Sequence, residues 1–205
     1  MSRWTWLYMI MLVCFIVVFI WSGIDPKSRV TWFLETSPAL LGIGILCWTY
    51  RRFSFTTLFY IVAFLSGLIM LVGGHYSYSN VPLFNELKSF LGSQRNDFDR
   101  FGHLFQGIVS ALFFREVFIR KQIVNHYLPM VVIGLSLAVS ACYELIEFLS
   151  VFFKQGDIKN FLGTQGDPWD TQWDMICALS GSILSLLFFH KLHDRQIAHK
   201  KQKSH

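Results

Sequence analysis

Apolar residues fall in six long runs, at 4–22, 31–50, 55–74, 101–119, 127–151 and 172–190, with polar stretches between them. Each is close to the roughly 20 residues that an α-helix needs to cross a bilayer. The first three runs are almost uninterrupted. The fourth carries His103, Gln106, Arg115 and Glu116, the fifth ends with Glu144 and Glu147, and the sixth has Asp174 near its start. The pattern predicts an all-α polytopic membrane protein, a bundle of six transmembrane helices in one membrane domain, with a basic tail over 191–205. The first run follows only a thin positive segment, and no A-x-A type of cleavage site comes after it, so it is expected to stay as an uncleaved anchor.

Composition narrows the class further. Hydrophobic residues make up 53% of the chain and aromatics 17%, while charged residues make up 15%, against about 25% in soluble domains. Mean hydropathy is +0.43, and 21 Phe with 7 Trp are more than a 205-residue globule can bury. These values exclude a disordered chain, a soluble nucleic-acid binder and a disulfide-stapled secreted domain. Cys14, Cys47, Cys142 and Cys177 lie inside apolar runs without CxxC spacing, and they read as small buried hydrophobes.

Charge orients the bundle. An even number of spans puts both termini on one side, together with Arg3, Arg51, Arg52, Arg115, Arg120, Lys121 and the five basic residues of the tail, against only Glu116 and Asp194. That side carries a net +9, and the opposite side −4. Positive residues favour the cytoplasmic side, so both termini are expected in the cytoplasm of a bacterial inner-membrane protein, with the 76–96 and 154–171 loops outside. The basic tail then lies beside anionic lipid headgroups rather than on nucleic acid.

The ionisable residues of the spans converge on the outer face. Glu35 is near the outer end of the second span and His75 closes the third. Asp97, Asp99 and His103 open the fourth, Glu144 and Glu147 end the fifth, and Asp167, Asp170 and Asp174 lead into the sixth. Such residues are costly in lipid and usually face a bundle interior or a wet cavity. Asp99 and His103 are four apart, as are Asp170 and Asp174, and Glu144 and Glu147 are three apart, so each pair shares a helix face. The stripe beyond Asp174 runs through Cys177, Ala178, Gly181, Ser182 and Ser185, small residues that permit close helix packing. Gly102, Gly107 and Gly134 are expected to serve the same end on the fourth and fifth spans. The outer loops are also rich in Gly, Trp and Tyr, as interfacial belts and turns are.

Two segments carry a family resemblance. One is Asp97-Phe98-Asp99-Arg100-Phe101-Gly102-His103 through Gly107, with Arg115-Glu116. The other is Tyr143 to Phe148 with the Gly163-to-Met175 stretch. Together they resemble the bacterial YjdF family of inner-membrane proteins along the whole chain, which implies location and topology rather than a reaction. The C-terminal half is also similar to the VanZ-like membrane proteins, a family linked to low-level glycopeptide resistance. Asp99-Arg100-Phe101-Gly102-His103 fits that family's Asp-basic-x-x-His helix start, and Glu144 or Glu147 fits its following Glu. Asp170 and Asp174 approximate its Asp-x-x-x-Asn element, but Asp174 stands where an amide is usual, and the basic residue of the last loop is absent.

Three functions fit these residues. The first is an enzyme acting on a lipid headgroup at the outer leaflet, with His103, Glu144 and Asp174 in the chemistry and His75, Asp99, Glu147, Asp167 and Asp170 in support. His75, His103, Glu144 and Asp174 are then candidate ligands for a divalent metal such as Zn²⁺, Mn²⁺ or Fe, or His103 serves as a general base. The second is binding or transport of an ion, lipid or small solute, for which a homodimer could complete the small bundle. The third is structural: the acids pair with Arg95, Arg100 and Arg115 and fix helix packing. No HExxH motif, nucleophile elbow or phosphate loop is present. Membrane lipids are the expected partners in every case, and nucleic acid is not.

Overall fold

The computed structural model describes residues 3–124, 126–151 and 165–202. Its helices are α1 (Arg3–Gly23), α2 (Arg29–Thr49), α3 (Thr57–Tyr76), α4 (Pro82–Leu91), α5 (Phe98–Lys121), α6 (Leu128–Val151), α7 (Asp170–Phe188) and α8 (His190–Gln202), with no strand among the described residues. Six of them, all but α4 and α8, are long and apolar enough to cross a membrane. The expected spans are found with shifted ends. The fourth starts at Phe98, which brings Asp99 into its first turn, and the sixth starts at Asp170. Part of the expected outer loop, 154–164, lies outside the described residues.

Local chemistry explains where these helices begin and bend. The Ser28 and Thr56 hydroxyls accept from the backbone N–H groups of Thr31 and Phe59, capping α2 and α3 as N-cap side chains do. Pro38 sits inside α2 and has no N–H for the Leu34 carbonyl, but the Ser37 hydroxyl donates to that carbonyl at 2.9 Å. A neighbouring hydroxyl is what lets a proline persist in a lipid-embedded helix. Pro82 opens α4 and Gly92, at φ +64°, closes it.

Helix α5 is the centre of the bundle. It packs against α7, α6 and α3, while α1 and α2 lean on α3 from the other side. The α5–α7 approach is backbone on backbone. A Cβ added to Gly107 would overlap the Ala178 carbonyl, and one added to Gly181 would overlap that of Leu104. Two glycine expectations need correcting. Gly134 has open space around it and makes no close approach, and Gly102 faces Tyr78 and Ile69 at ordinary distance. Three of the four cysteines, Cys14, Cys47 and Cys142, are exposed rather than buried. In lipid the outward face is apolar too, so a small apolar residue gains nothing by turning inward. Trp6, Ile10, Val13, Val17 and Ile20 line the outward face of α1 in the same way.

The end of the bundle that gathers the N-terminus of α3 and the C-termini of α5 and α7 is basic, and a buried carboxylate organises it. Glu116 is fully buried. It accepts from the Thr56 N–H at 3.0 Å and the Thr56 hydroxyl at 2.8 Å, pairs with Arg120 at 3.0 Å, and meets His193 Nε2 at 3.2 Å. Arg115 pairs with Asp194 at 2.7 Å, and the Leu58 N–H donates to Gln196. The described part of the basic tail thus lies in α8, held against the bundle through His193, Asp194 and Gln196.

Substitutions at these two features test the account. Gly107→Val or Gly181→Val should cost about 3 kcal/mol, the upper end for overpacking, whereas Gly134→Ala should change stability by less than about 0.5 kcal/mol. Glu116→Ala, which strips the acceptor from Arg120, Thr56 and His193, should cost about 3–5 kcal/mol, and Glu116→Gln less. Thermal unfolding in detergent followed by circular dichroism measures both series.

Candidate functional site

The opposite end gathers the N-termini of α2, α5 and α7 and the C-termini of α1, α3 and α6, and it is acidic. Two structural locks set up its side chains. Asn96 is buried just before α5; its amide N–H₂ donates to the Val81 carbonyl and to Asn85, and its side-chain oxygen accepts from the Phe98 N–H. The Asn96 N–H and carbonyl also exchange hydrogen bonds with the Gln165 side-chain amide, both at 2.9 Å. These contacts tie α4 and the segment before α7 to the start of α5. Asp167 accepts from the Trp169 N–H at 2.9 Å and pairs with Arg100 at 2.7 Å, turning the chain into α7.

His103, one helical turn into α5, is the hub. Its Nε2 lies 3.2 Å from Glu144 Oε1 on α6 and 3.9 Å from Asp99 Oδ1 on its own helix. Its Nδ1 faces the Gln106 side-chain oxygen at 3.1 Å and the Ser140 hydroxyl at 3.4 Å. With the proton on Nδ1 donated to Gln106, the Nε2 lone pair points at the carboxylates, and a metal-ligating histidine typically has its other ring N–H held by an acceptor in this way. With the proton on Nε2, the ring donates to Glu144 instead.

Asp174 on α7 completes the group. One ligand atom from each of His103, Glu144 and Asp174 lies within 4.8 Å of the others, and all three residues are buried. Ligands about 2.0–2.2 Å from a common ion in a tetrahedral array stand about 3.4 Å apart; His103 and Glu144 are already at 3.2 Å, and a movement of up to about 1.4 Å closes Asp174 onto them. Asp99, Asp170 and Asp174 form a second set within the same limit. Asp174 is 2% exposed, and its Oδ1 has no hydrogen-bond partner.

The remaining expected residues divide. Glu147 lies one turn beyond Glu144, within the electrostatic field of Glu35, Asp99, Glu144 and Asp174. Asp170 belongs to the second set and is also ion-paired with Arg95. Asp167 is a turn residue held by Arg100, outside both sets. His75 is not brought to the group: its Nδ1 contacts the Ser22 carbonyl at 3.0 Å and its ring packs on Trp21, because the end of α3 lies against α1. Of the three arginines expected to neutralise these acids, Arg95 and Arg100 do so and Arg115 is at the basic end.

Several residues here were not singled out from sequence. Tyr143 donates to Glu35 at 2.7 Å, joining α6 to α2, and sets its ring edge-on to His103. Tyr78, just past α3, packs on Phe98 under the site; burial, with the Glu35 charge adding to it, pushes its phenol well above the ordinary range. Asn96 and Gln165 carried only the faint signal of amides beside turn residues.

Comparison with known proteins places the chain. The family described as "Predicted membrane protein (DUF2238)" matches residues 7–195. The inner membrane protein YjdF of Escherichia coli (strain K12) is 40% identical over 183 residues, covering 88% of each chain. No solved structure matches. A match across nearly the whole length, on a chain with six membrane-length helices, is not a shared fragment: the protein belongs to the DUF2238 family of multi-pass membrane proteins and, like its E. coli relative, is an inner-membrane protein.

Proposed function

We propose that this protein holds a divalent cation at the acidic end of its bundle and acts there on a lipid headgroup, as a membrane enzyme at the periplasmic face with both termini in the cytoplasm. The observation that carries the reading is the convergence of His103, Glu144 and Asp174, buried and from three different helices, with one ligand atom of each within 4.8 Å of the others. Two buried carboxylates and a histidine without a paired arginine are expensive in a low-dielectric bundle, and a cation is the partner that removes the cost. One imidazole and two carboxylates suit Zn²⁺, Mn²⁺ or Fe. When bound, such an ion supplies Lewis-acid polarisation to an ester or phosphoester; Gln106 fixes the His103 ring that would hold it. The imbalance of +9 against −4 between the two sides supports the orientation.

A structural reading has its own support at the rim. Arg95 on Asp170 and Arg100 on Asp97 and Asp167 are ion pairs that fix the segments entering α5 and α7. They account for the rim acids and leave Asp174 unexplained.

Metal analysis of detergent-solubilised protein, purified without chelator and loaded with Zn²⁺ or Mn²⁺, tests the cation. Bound metal should fall in His103→Ala and Asp174→Asn. Gln106→Leu should weaken affinity by about 10–100-fold, the usual loss when the group that orients a ligating histidine is removed. Wild-type protein that stays metal-free after loading would sink the reading. For orientation, reporter fusions after Gln122 and after Lys88 should give cytoplasmic and periplasmic signals respectively, and the reverse pattern would invert the site to the cytoplasmic face.

A further inference from the structure

We infer that the acidic end is a two-cation centre bridged by Asp174, with the second divalent ion on Asp99 and Asp170, and that the pair takes a phosphate or phosphoester group. This rests on the cation reading of His103, Glu144 and Asp174 and extends it to a second site and a ligand class.

Three observations carry it. Asp174 belongs to both ligand sets, and each set closes within 4.8 Å. Its carboxylate has two oxygens to share, and the buried Oδ1 has no hydrogen-bond partner in a side chain that is 2% exposed. A buried acceptor left unsatisfied is costly, and a bridging carboxylate uses both oxygens. The sets also adjoin: Asp99 Oδ1 lies 3.9 Å from His103 Nε2, so ions held by the two sets would be neighbours that one carboxylate can bridge. The second set is all carboxylate, the donor type that suits Mg²⁺ or Mn²⁺.

Charge then selects the ligand. The four carboxylates of the two sets, Asp99, Glu144, Asp170 and Asp174, lie in the field of two guanidiniums, that of Arg95 on Asp170 and that of Arg100. Glu147 adds a fifth carboxylate to this field, so one divalent ion leaves the site negative and repels a phosphate. Two make it positive and attract one. Arg95 stays as a fixed positive charge beside the second set, a group that recognises phosphate oxygens.

Mn²⁺ electron paramagnetic resonance on the full chain in detergent, with the bound metal counted in parallel, tests this. The expected result is two Mn²⁺ per chain with an exchange-coupled spectrum. Asp99→Asn and Asp170→Asn should each leave one Mn²⁺ with the spectrum of an isolated ion; Asp99→Asn keeps the Arg95–Asp170 pair and so preserves the fold if Asp170→Asn does not. Inorganic phosphate and phosphatidylglycerol micelles are added separately. A change in the coupled spectrum with either supports the ligand class, and a change with the lipid alone identifies the headgroup as its source. No change with either overturns the ligand class. A single isolated Mn²⁺ in the wild type, unaffected by Asp99→Asn, overturns the second cation, because Arg95 then fills its place, and leaves the first site standing. No Mn²⁺ at all overturns both.

Discussion

The contact between α5 and α7 is the constraint on which the rest of the bundle depends. Gly107 lies against the Ala178 carbonyl and Gly181 against that of Leu104, so the two helices meet without side chains between them. In lipid there is no hydrophobic gain from pressing two helices together, and close backbone packing is what remains. The polar stripes of both helices, Asp99 to Gln106 on one and Asp170 to Ser185 on the other, run along the faces that this contact buries. Side chains as short as aspartate reach one another only because the backbones are this near.

Both polar ends answer the same physical demand in different ways. A carboxylate in a low-dielectric interior needs a partner. Glu116 has four within its own chain, from Thr56, Arg120 and His193, and the result is a clamp that holds α8 onto the bundle. At the acidic end the arginines are spent on the outer acids, and the carboxylates deeper in the bundle face one histidine. The first cluster is saturated and acts as a joint; the second keeps an excess of acids over bases among the described residues.

How much of this was legible in the sequence depends on the range of each interaction. The six spans follow from apolar length alone, and the grouping of His103 with Asp99 and of Asp170 with Asp174 follows from helical repeat. The small-residue face of α7 was readable for the same reason. Contacts between distant segments were not: Glu116 meets His193 across 77 residues and Asn96 meets Gln165 across 69. His75 shares the depth of the site but not its side of the bundle, and depth is all that a topology count provides. Gly134 and the outward cysteines misled because a bilayer removes the usual link between apolar character and burial.

The glycine contact also bears on how the bilayer acts on the site. His103 lies one turn above Gly107, and Asp174 one turn above Ala178, about 6 Å along each axis. Helices respond to a thinner or thicker membrane mainly by changing tilt. Locked at that point, α5 and α7 tilt as one body, so the His103–Asp174 separation is insulated from membrane thickness. Helix α6 makes no glycine contact of this kind at Gly134, where the space is open, and is joined to the pair through side chains, Ser140 and Glu144 on His103. Glu144 therefore meets His103 across a contact made by side chains, and of the three members of the acidic group it is the one whose spacing membrane thickness can reach.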